Sequence, residues 1–596
     1  MKVLFYPSLK KGQGSGHLRR SLALVKQLGH RGFLLLEDCL AESGRDREEV
    51  LKELDYPKSN IRERYNPDEH WDLIVMDRKS TDPSELERFA RRALVIGIDE
   101  GGKAREYFPY LIDLLPGITK VHPPNLSSIS LLDLPERSAK PLQYPFRKIL
   151  ISFGGEDPAD LSRRLLKVLL TGSLFPPQAV TVVEGPFFSG KNWPAGIKVL
   201  TGIKDLKSRL KDYDLLFTSF GLTCFEALAA GVPVILLNPT PNHRKLSRKA
   251  NIPEVGVRTP GRRKLKRLLA DKKGLEEPLS SFDPALHSKD SSISTLFESI
   301  QPVKASCCPV CRKALNPAVE RFQNRTYFRC KTCGIIYLLK LGAGMKRYEE
   351  DYFFREYKSQ YGRTYLEDFE NIKNKAGRRL AEIKSILGGL KDKSLLDVGC
   401  AYGPFLKAAQ KAGFKPLGLD ISAQAVKYVS GTLNIPCLRG NFMELKNRRL
   451  IQDGFDVLTM WFVIEHFDRL DTVLYRVNEL LRRGGVFAFS TPNGRGISAR
   501  KSRHIFLEKS PLDHCTLWRP AAVRTILAQF GFRLRKCQIT GHHPERFPWF
   551  AARGLKPAGT WEALLSAASK IFRLGDTFEV YAEKLHSLNG GHGGNK

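Results

Sequence analysis

The chain has 596 residues, 42% hydrophobic and 27% charged, with 96 basic and 63 acidic side chains and a formal net charge of +33. Such a length predicts several domains, and such a balance excludes low-hydrophobicity disorder as the main state. Of the net charge, +23 falls after residue 300, which points to an anionic partner for that half without separating RNA, a membrane surface and a nucleotide.

No apolar run reaches the ~18–20 residues of a membrane span. Met1–Pro7 leads into basic, Gly-rich residues with no apolar signal core. The eleven cysteines include two Cys-x-x-Cys pairs, a pattern of metal use in a reducing compartment rather than a disulfide framework. The expected address is the cytoplasm.

The predicted architecture is multidomain α/β. Apolar runs at Lys2–Tyr6, Leu34–Glu37, Leu73–Met76, Leu94–Ile98, Lys148–Ser152, Val180–Val183, Leu215–Thr218 and Val234–Leu237 read as buried parallel strands, with helical patterns such as Leu18–Leu28 and Pro158–Leu170 between them. They form two similar halves, 1–145 and 146–285, joined by a crossover at Lys140–Pro145. Residues 286–304 are a polar linker and 305–340 carry the cysteine pairs. Residues 341–392 read as a helical connector and 393–545 as another α/β unit. Residues 546–596 are a weakly patterned extension ending in a Gly-rich tail.

The first strand runs into Gly12-Gln-Gly14-Ser-Gly16-His17-Leu-Arg-Arg20 at a helix start. Backbone N–H groups of such a turn can approach a phosphate at the positive helix end. A neutral His17 beside that pocket is a candidate general base, although a lone His is more often structural. In the second half, Gly221, Leu222 and Thr223 open a helix after a strand, and Glu226 lies one turn in. Those residues suit a diphosphate and ribose hydroxyls.

Gly14–Leu24, the Ser152-Phe-Gly154-Gly155-Glu156-Asp-Pro158 run and Gly221–Pro233 together resemble the UDP-sugar hydrolase of pseudaminic acid biosynthesis and related spore-coat polysaccharide proteins. The resemblance implies a GT-B-like pair of Rossmann-like domains around a UDP-sugar. It implies that His17 activates water and that Gly16, Arg20, Gly154, Gly155, Gly221, Leu222, Thr223, Glu226 and Asn242 hold the nucleotide sugar. Asp77 and Asp99 fall at strand ends facing the cleft, with loop capping as the alternative. The chain departs from the family in Glu156 and in Asn238-Pro-Thr-Pro-Asn242-His243, which leaves hydrolysis and glycosyl transfer both open.

Cys308, Cys311, Cys330 and Cys333 form two knuckles, eighteen residues apart. Two such knuckles close a tetrahedral thiolate zinc site with no open position, so the role is folding or docking. Cys307 is the spare thiol.

Ser394–Val398 is a strand leading into Gly399-Cys400-Ala-Tyr-Gly403, and a second strand ends in Asp420, the spacing of a carboxylate on ribose hydroxyls. Asn441 ends a third strand, Trp461 a fourth, and Glu465-His466 follow its exit. The order resembles the class I S-adenosylmethionine-dependent methyltransferases, in the small-molecule branch related to quinone methylases. It implies that Asp397, Gly399, Cys400, Gly403, Asp420, Ile421, Asn441 and Trp461 hold the cofactor. His466 with Glu465 would serve as base, or only shape the pocket, and His514 would line the acceptor pocket. A four-cysteine motif before such a domain resembles sugar C-methyltransferases and also certain ribosomal RNA methyltransferases.

The leading expectation is a bifunctional enzyme of surface-glycan biosynthesis, with a nucleotide sugar and a small methyl acceptor as partners. Its rivals are an RNA methyltransferase and a binding scaffold with one inactive domain. No Asn/Asp-Pro-Pro-Tyr base-methylation motif supports the RNA reading. Weak association with anionic surfaces remains open from the charge alone.

Overall fold

A computed structural model describes all residues except 9–15, 38–55, 116–120, 133, 139–141, 156, 186–187, 189–191, 204, 283–292, 301–306, 342–361, 363, 446–452 and 589–596. Gly12, Gly14, Glu156, most of the linker, much of the helical connector and the Gly-rich tail therefore lie outside the described residues. The chain divides into two compact units. The first is Met1–Ser306 with Arg321–Asn324, and the second is Cys307–Glu320 with Arg325–Lys596.

The first unit holds two parallel sheets. One contains β1 (Val3–Pro7), β2 (Gly32–Leu35), β3 (Ile61–Arg62), β4 (Leu73–Asp77), β5 (Leu94–Ile98), β6 (Tyr110–Asp113) and β7 (Leu126–Ser127), in the order β3-β2-β1-β4-β5-β6-β7. The other contains β8 (Ile149–Ile151), β9 (Val180–Val183), β10 (Lys198–Leu200), β11 (Leu215–Thr218), β12 (Val234–Asn238) and β13 (Glu254–Val257), in the order β10-β9-β8-β11-β12-β13. Strands buried on both faces read as unbroken apolar runs, and all eight expected runs are strands. The strands not expected are short or lie toward sheet edges, as in the two-residue β3 and β7.

The order of each sheet reverses beside its first strand, and such switch points open a crevice at the carboxyl ends of the strands. Helix Leu161–Thr171 packs Leu165 and Leu169 onto β8, β11 and β12. It begins later than expected because the Asp157 carboxylate takes the N–H groups of Leu161 and Ser162 at 2.8 and 2.9 Å. After the second sheet, helix Ile293–Ser299 returns to the first, where Phe297 meets Phe5 of β1 with ring centroids 6.2 Å apart.

The second unit begins with β14 (Ala318–Phe322), β15 (Arg325–Arg329) and β16 (Ile336–Lys340). A longer sheet comprises β17 (Ser394–Val398), β18 (Lys415–Asp420), β19 (Cys437–Arg439), β20 (Phe455–Trp461), β21 (Leu481–Pro492), β23 (Phe532–Thr540) and β24 (Thr577–Lys584). Its order is β19-β18-β17-β20-β21-β24-β23, with β24 antiparallel to both neighbours. The expected cysteine-bearing segment 305–340 is not a free-standing sheet: β22 (Thr516–Leu517) pairs with β16 and completes it.

Two sequence boundaries need correction. Helix Phe369–Leu387, expected in a connector, packs Ala376, Leu380 and Ile383 among Leu395, Val457 and Val486 of the sheet. The described part of the expected extension 546–596, residues 546–588, is not loose, because β24 lies inside the sheet. That strand alternates Phe578, Val580 and Ala582 with polar residues, yet it is buried on both faces and places Glu579 inside the sheet, paired with Arg379 at 2.9 Å.

Candidate active site

Helix Gly16–Lys26 starts at the crevice of the first sheet, and a Cβ on Gly16 would meet none of the described residues within 4 Å. His17, the next residue, sets Nδ1 2.7 Å from Oδ1 of Asp77 at the end of β4. One turn on, Arg20 donates through Nε to Asp77 Oδ2 at 2.9 Å and also bonds Asp99. Burial would raise the Asp77 pKa, but the Arg20 and His17 charges hold it well below the usual carboxylate range. With Asp77 ionised, His17 donates to it through Nδ1–H, and the neutral form of the imidazole then carries its lone pair on Nε2.

Arg20 is therefore committed to two buried carboxylates rather than open to a diphosphate. Asp99 also caps, accepting the N–H groups of Leu114 and Leu115 at 2.8 and 3.1 Å. The loop-capping reading of Asp99 is the one seen here, and its other oxygen is taken by Arg20.

In the second sheet, Gly221 N-caps helix Leu222–Ala229, again with open space where its Cβ would be. The buried Asn238 fixes this turn, accepting from Phe220 N at 3.2 Å and donating to Ser247 Oγ at 2.9 Å. Leu222, Thr223 and Glu226 lie half-buried on its first turns. The Gly154–Gly155 turn packs on Gly185, where any Cβ would fall 2.5 Å from the Gly155 Cα. Asn242 is exposed. Its neighbour His243, not singled out from sequence, bonds Thr240 Oγ1 through Nδ1 at 2.7 Å, and burial with Lys79 nearby pushes its pKa down to about 4.

In the second unit, Cys308 and Cys333 approach to 3.5 Å and Cys311 and Cys330 to 3.3 Å between sulfurs. All four ligand atoms lie within 4.8 Å of one another. A thiolate tetrahedron around a Zn–S bond of about 2.3 Å has edges near these values, so the four cysteines fit a metal ion. Cys307 is outside the set.

At the reversal of the long sheet, Gly399, Ala401 and Gly403 all adopt positive φ (68°, 47° and 75°). At Gly399 a Cβ would fall 2.5 Å from Val463. Asp420 Oδ2 accepts from Ala401 N and Oδ1 from Ser422 N, both at 2.8 Å, so the carboxylate ties the loop to the end of β18. Asp397 accepts from Thr459 Oγ1 at 2.6 Å, and burial pushes its pKa up to about 7.

Three apolar side chains stand open at successive strand ends: Ile421 after β18 (48% exposed), Met443 after β19 (39%) and Phe462 after β20 (43%). Of these only Ile421 was singled out from sequence. Asn441 caps the following turn, accepting from Met443 N at 3.0 Å. Two expected cofactor contacts turn elsewhere. The Cys400 thiol lies over Gly418, 3.6 Å from the Cys437 sulfur, leaving only its backbone for the loop. The Trp461 ring packs on Phe405 at 5.1 Å and under the Arg379 guanidinium at 4.0 Å.

Glu465 and His466 follow β20 in a short turn. Glu465 is buried, its Oε2 meets no hydrogen-bond partner among the described residues, and burial pushes its pKa up to about 7 against the pull of His466. His466 sets Nδ1 3.3 Å from Asp513 Oδ2. Burial would lower the His466 pKa, but the Asp513 bond raises it. Its ring stands edge-on to His514 at 4.9 Å, and burial together with His466 pushes His514 down to about 4. The Asp513-His514 dipeptide was visible in the sequence, but the carboxylate's role behind His466 was not. Glu465, His466 and His514 bring their ligand atoms within 4.8 Å of one another, close enough to share a proton or a cation.

Comparison with known proteins finds likenesses to parts of the chain. Residues 370–536 match the family described as "Methyltransferase domain". Over 118 residues the chain is 29% identical to a ubiquinone biosynthesis O-methyltransferase of Nitrosomonas europaea, covering 19% of this chain and 50% of that protein. Over 101 residues it is 37% identical to an uncharacterised protein of Methanocaldococcus jannaschii, covering 15% of this chain and 20% of that one. The chain thus spans half or less of the length of these two relatives. A SAM-dependent methyltransferase structure from Archaeoglobus fulgidus aligns over 39% of this chain and 100% of that chain, at 16% identity and a TM-score of 0.29. The second unit of this chain carries a methyltransferase domain.

Proposed function

We propose that the second unit transfers a methyl group from S-adenosylmethionine to a small-molecule acceptor. In the same chain, the first unit cleaves a UDP-sugar or transfers its sugar, and both act in surface-glycan biosynthesis. The observation that carries the first claim is the match over residues 370–536, joined to a loop and carboxylate shaped for an adenosyl ligand. The positive-φ loop at Gly399–Gly403 leaves room for close backbone approach. The Asp420 carboxylate, beyond its bonds to Ala401 N and Ser422 N, retains acceptor capacity for a ribose hydroxyl. Ile421, Met443 and Phe462 would be covered by a flat adenine.

When bound there, S-adenosylmethionine supplies an electrophilic methyl group on a sulfonium. Asp513 orients the His466 imidazole, whose Nε2 can take the acceptor's proton as the new bond forms. His514, pushed down to about 4, stays neutral on the acceptor side, and Glu465, pushed up to about 7, titrates near neutrality beside it. The four cysteines would hold zinc as a folding element.

For the first unit, the support is the His17–Asp77 pair at the open helix start, with Gly221–Glu226 on the second sheet as the nucleotide cradle. His17 Nε2 would activate water or a sugar hydroxyl, and Asp77 would steady the imidazolium so formed.

Thermal unfolding with UDP, S-adenosylhomocysteine and a short RNA duplex tests both claims. A ligand at 100 times its dissociation constant adds about 2.7 kcal/mol to the folded state. Stabilisation by UDP and S-adenosylhomocysteine is expected. A response to S-adenosylhomocysteine and RNA without UDP would replace the nucleotide-sugar reading by the RNA one.

A further inference from the structure

Residues 541–576 join β23 to β24 at the carboxyl end of the long sheet, the end where Gly399–Gly403, Asp420 and Glu465 also lie. The register fixes this: Thr577 pairs with both Thr540 and Pro492. The connection is firmly held. Asn493 Nδ2 donates to Gly575 O at 2.7 Å, Ser498 Oγ to Asp576 Oδ2 at 2.7 Å, and His542 Nδ1 meets Ser569 Oγ at 2.7 Å.

Its helix Thr560–Ile571 is inside out. Trp561, Leu564, Ala568 and Ile571 share one helical face, yet Trp561, Leu564 and Ile571 are 64%, 57% and 74% exposed, and the one buried side chain of the helix is Ser569. Together with Trp549, Leu555 and Phe572, this segment holds six of the twelve exposed large apolar side chains among the described residues. A concentration of that kind marks an interaction surface.

Its charge selects the partner. Arg546, Arg553, Lys556, Lys570 and Arg573 stand against Glu545, Glu562 and Asp576, the last of them paired with Arg546. Lys570 and Arg573 also line a pocket of about 480 Å³ with His542 and Arg378. Tryptophan, leucine and phenylalanine beside lysine and arginine are the composition of a surface that lies in a bilayer interface. A second copy would bring like charges together, whereas anionic headgroups would neutralise them. No helix among the described residues is long and apolar enough to cross a membrane.

We propose that the Trp549–Arg573 surface docks this chain on an anionic lipid bilayer. The apolar stripe enters the headgroup boundary, and the Lys570–Arg573 pocket takes a lipid phosphate.

Cosedimentation of the full chain with vesicles tests this, comparing phosphatidylglycerol/phosphatidylcholine with phosphatidylcholine alone. Binding to the anionic vesicles is expected, weakening as salt rises. Trp561→Ser with Phe572→Ser, and separately Lys570→Glu with Arg573→Glu, should each weaken it at least about tenfold. Unchanged stabilisation by S-adenosylhomocysteine would show that the variants are folded. Equal binding of variants and parent, no preference for anionic vesicles, or a dimer that Leu564→Asp dissociates with no vesicle binding would each overturn the proposal.

Discussion

Nδ1 of His17 lies 2.7 Å from Asp77 Oδ1, and Arg20 holds the same carboxylate through Nε at 2.9 Å. The carboxylate is thus shared between the partly exposed His17 at the helix start and the buried Arg20. The two should respond differently to substitution. His17→Ala is expected to lower UDP release from a UDP-sugar by about 10²–10⁴-fold, the range of general-base catalysis, with unfolding temperature unchanged. Asp77→Asn leaves the buried Arg20 with Asp99 alone and should cost about 3–5 kcal/mol of stability. A His17→Ala variant with parental turnover would remove the base assignment.

Asp420 bonds Ala401 N and Ser422 N, each at 2.8 Å, so its replacement acts on the ligand and on the loop. Asp420→Ala should weaken S-adenosylhomocysteine binding by about 10–100-fold, as expected for hydrogen bonds to a charged acceptor. Titration calorimetry would read the loss directly. Retained affinity would mean that the ribose hydroxyls find other partners.

The four clustered thiols predict one zinc per chain. Cys330→Ser should release it and lower the unfolding temperature, because binding energy at a structural site is folding energy. Cys307→Ser, outside the set, should do neither. Elemental analysis of the purified variants decides between these outcomes, and full zinc in Cys330→Ser would exclude the four-cysteine site.

The sequence made some of this legible and hid the rest for physical reasons. Buried parallel strands such as Leu73–Asp77 and Phe455–Trp461 announce themselves as apolar runs, and the glycines at 399 and 403 mark the loop between strand and helix. Knuckle spacing alone brings four cysteines together. The misses share a different cause. β24 hides Glu579 within the sheet, and its partner Arg379 comes from a helix two hundred residues earlier. Asp513 behind His466 and Asp77 behind His17 are likewise long-range partners, recognisable only once the chain is folded. The side chains of Cys400 and Trp461, expected at the cofactor, pack instead against Cys437 and Phe405, a rotamer and packing outcome that no spacing encodes.

Asp397 gives the methyltransferase domain a pH signature. Burial holds its carboxyl protonated in the folded chain up to about pH 7, whereas an unfolded aspartate ionises near pH 4. Between those values the folded chain holds the extra proton, so this group's contribution to stability falls as pH rises from about 4 to about 7 and is level above. Asp397→Asn has no proton to lose and can still accept from Thr459 Oγ1. Its stability relative to the parent should therefore climb through that window, by up to roughly 3 kcal/mol. Urea unfolding of both chains at pH 5 and pH 8, without cofactor, measures the difference. A gap that does not change with pH would show that Asp397 is ionised in the folded chain across the whole range, with the Arg379 charge outweighing its burial.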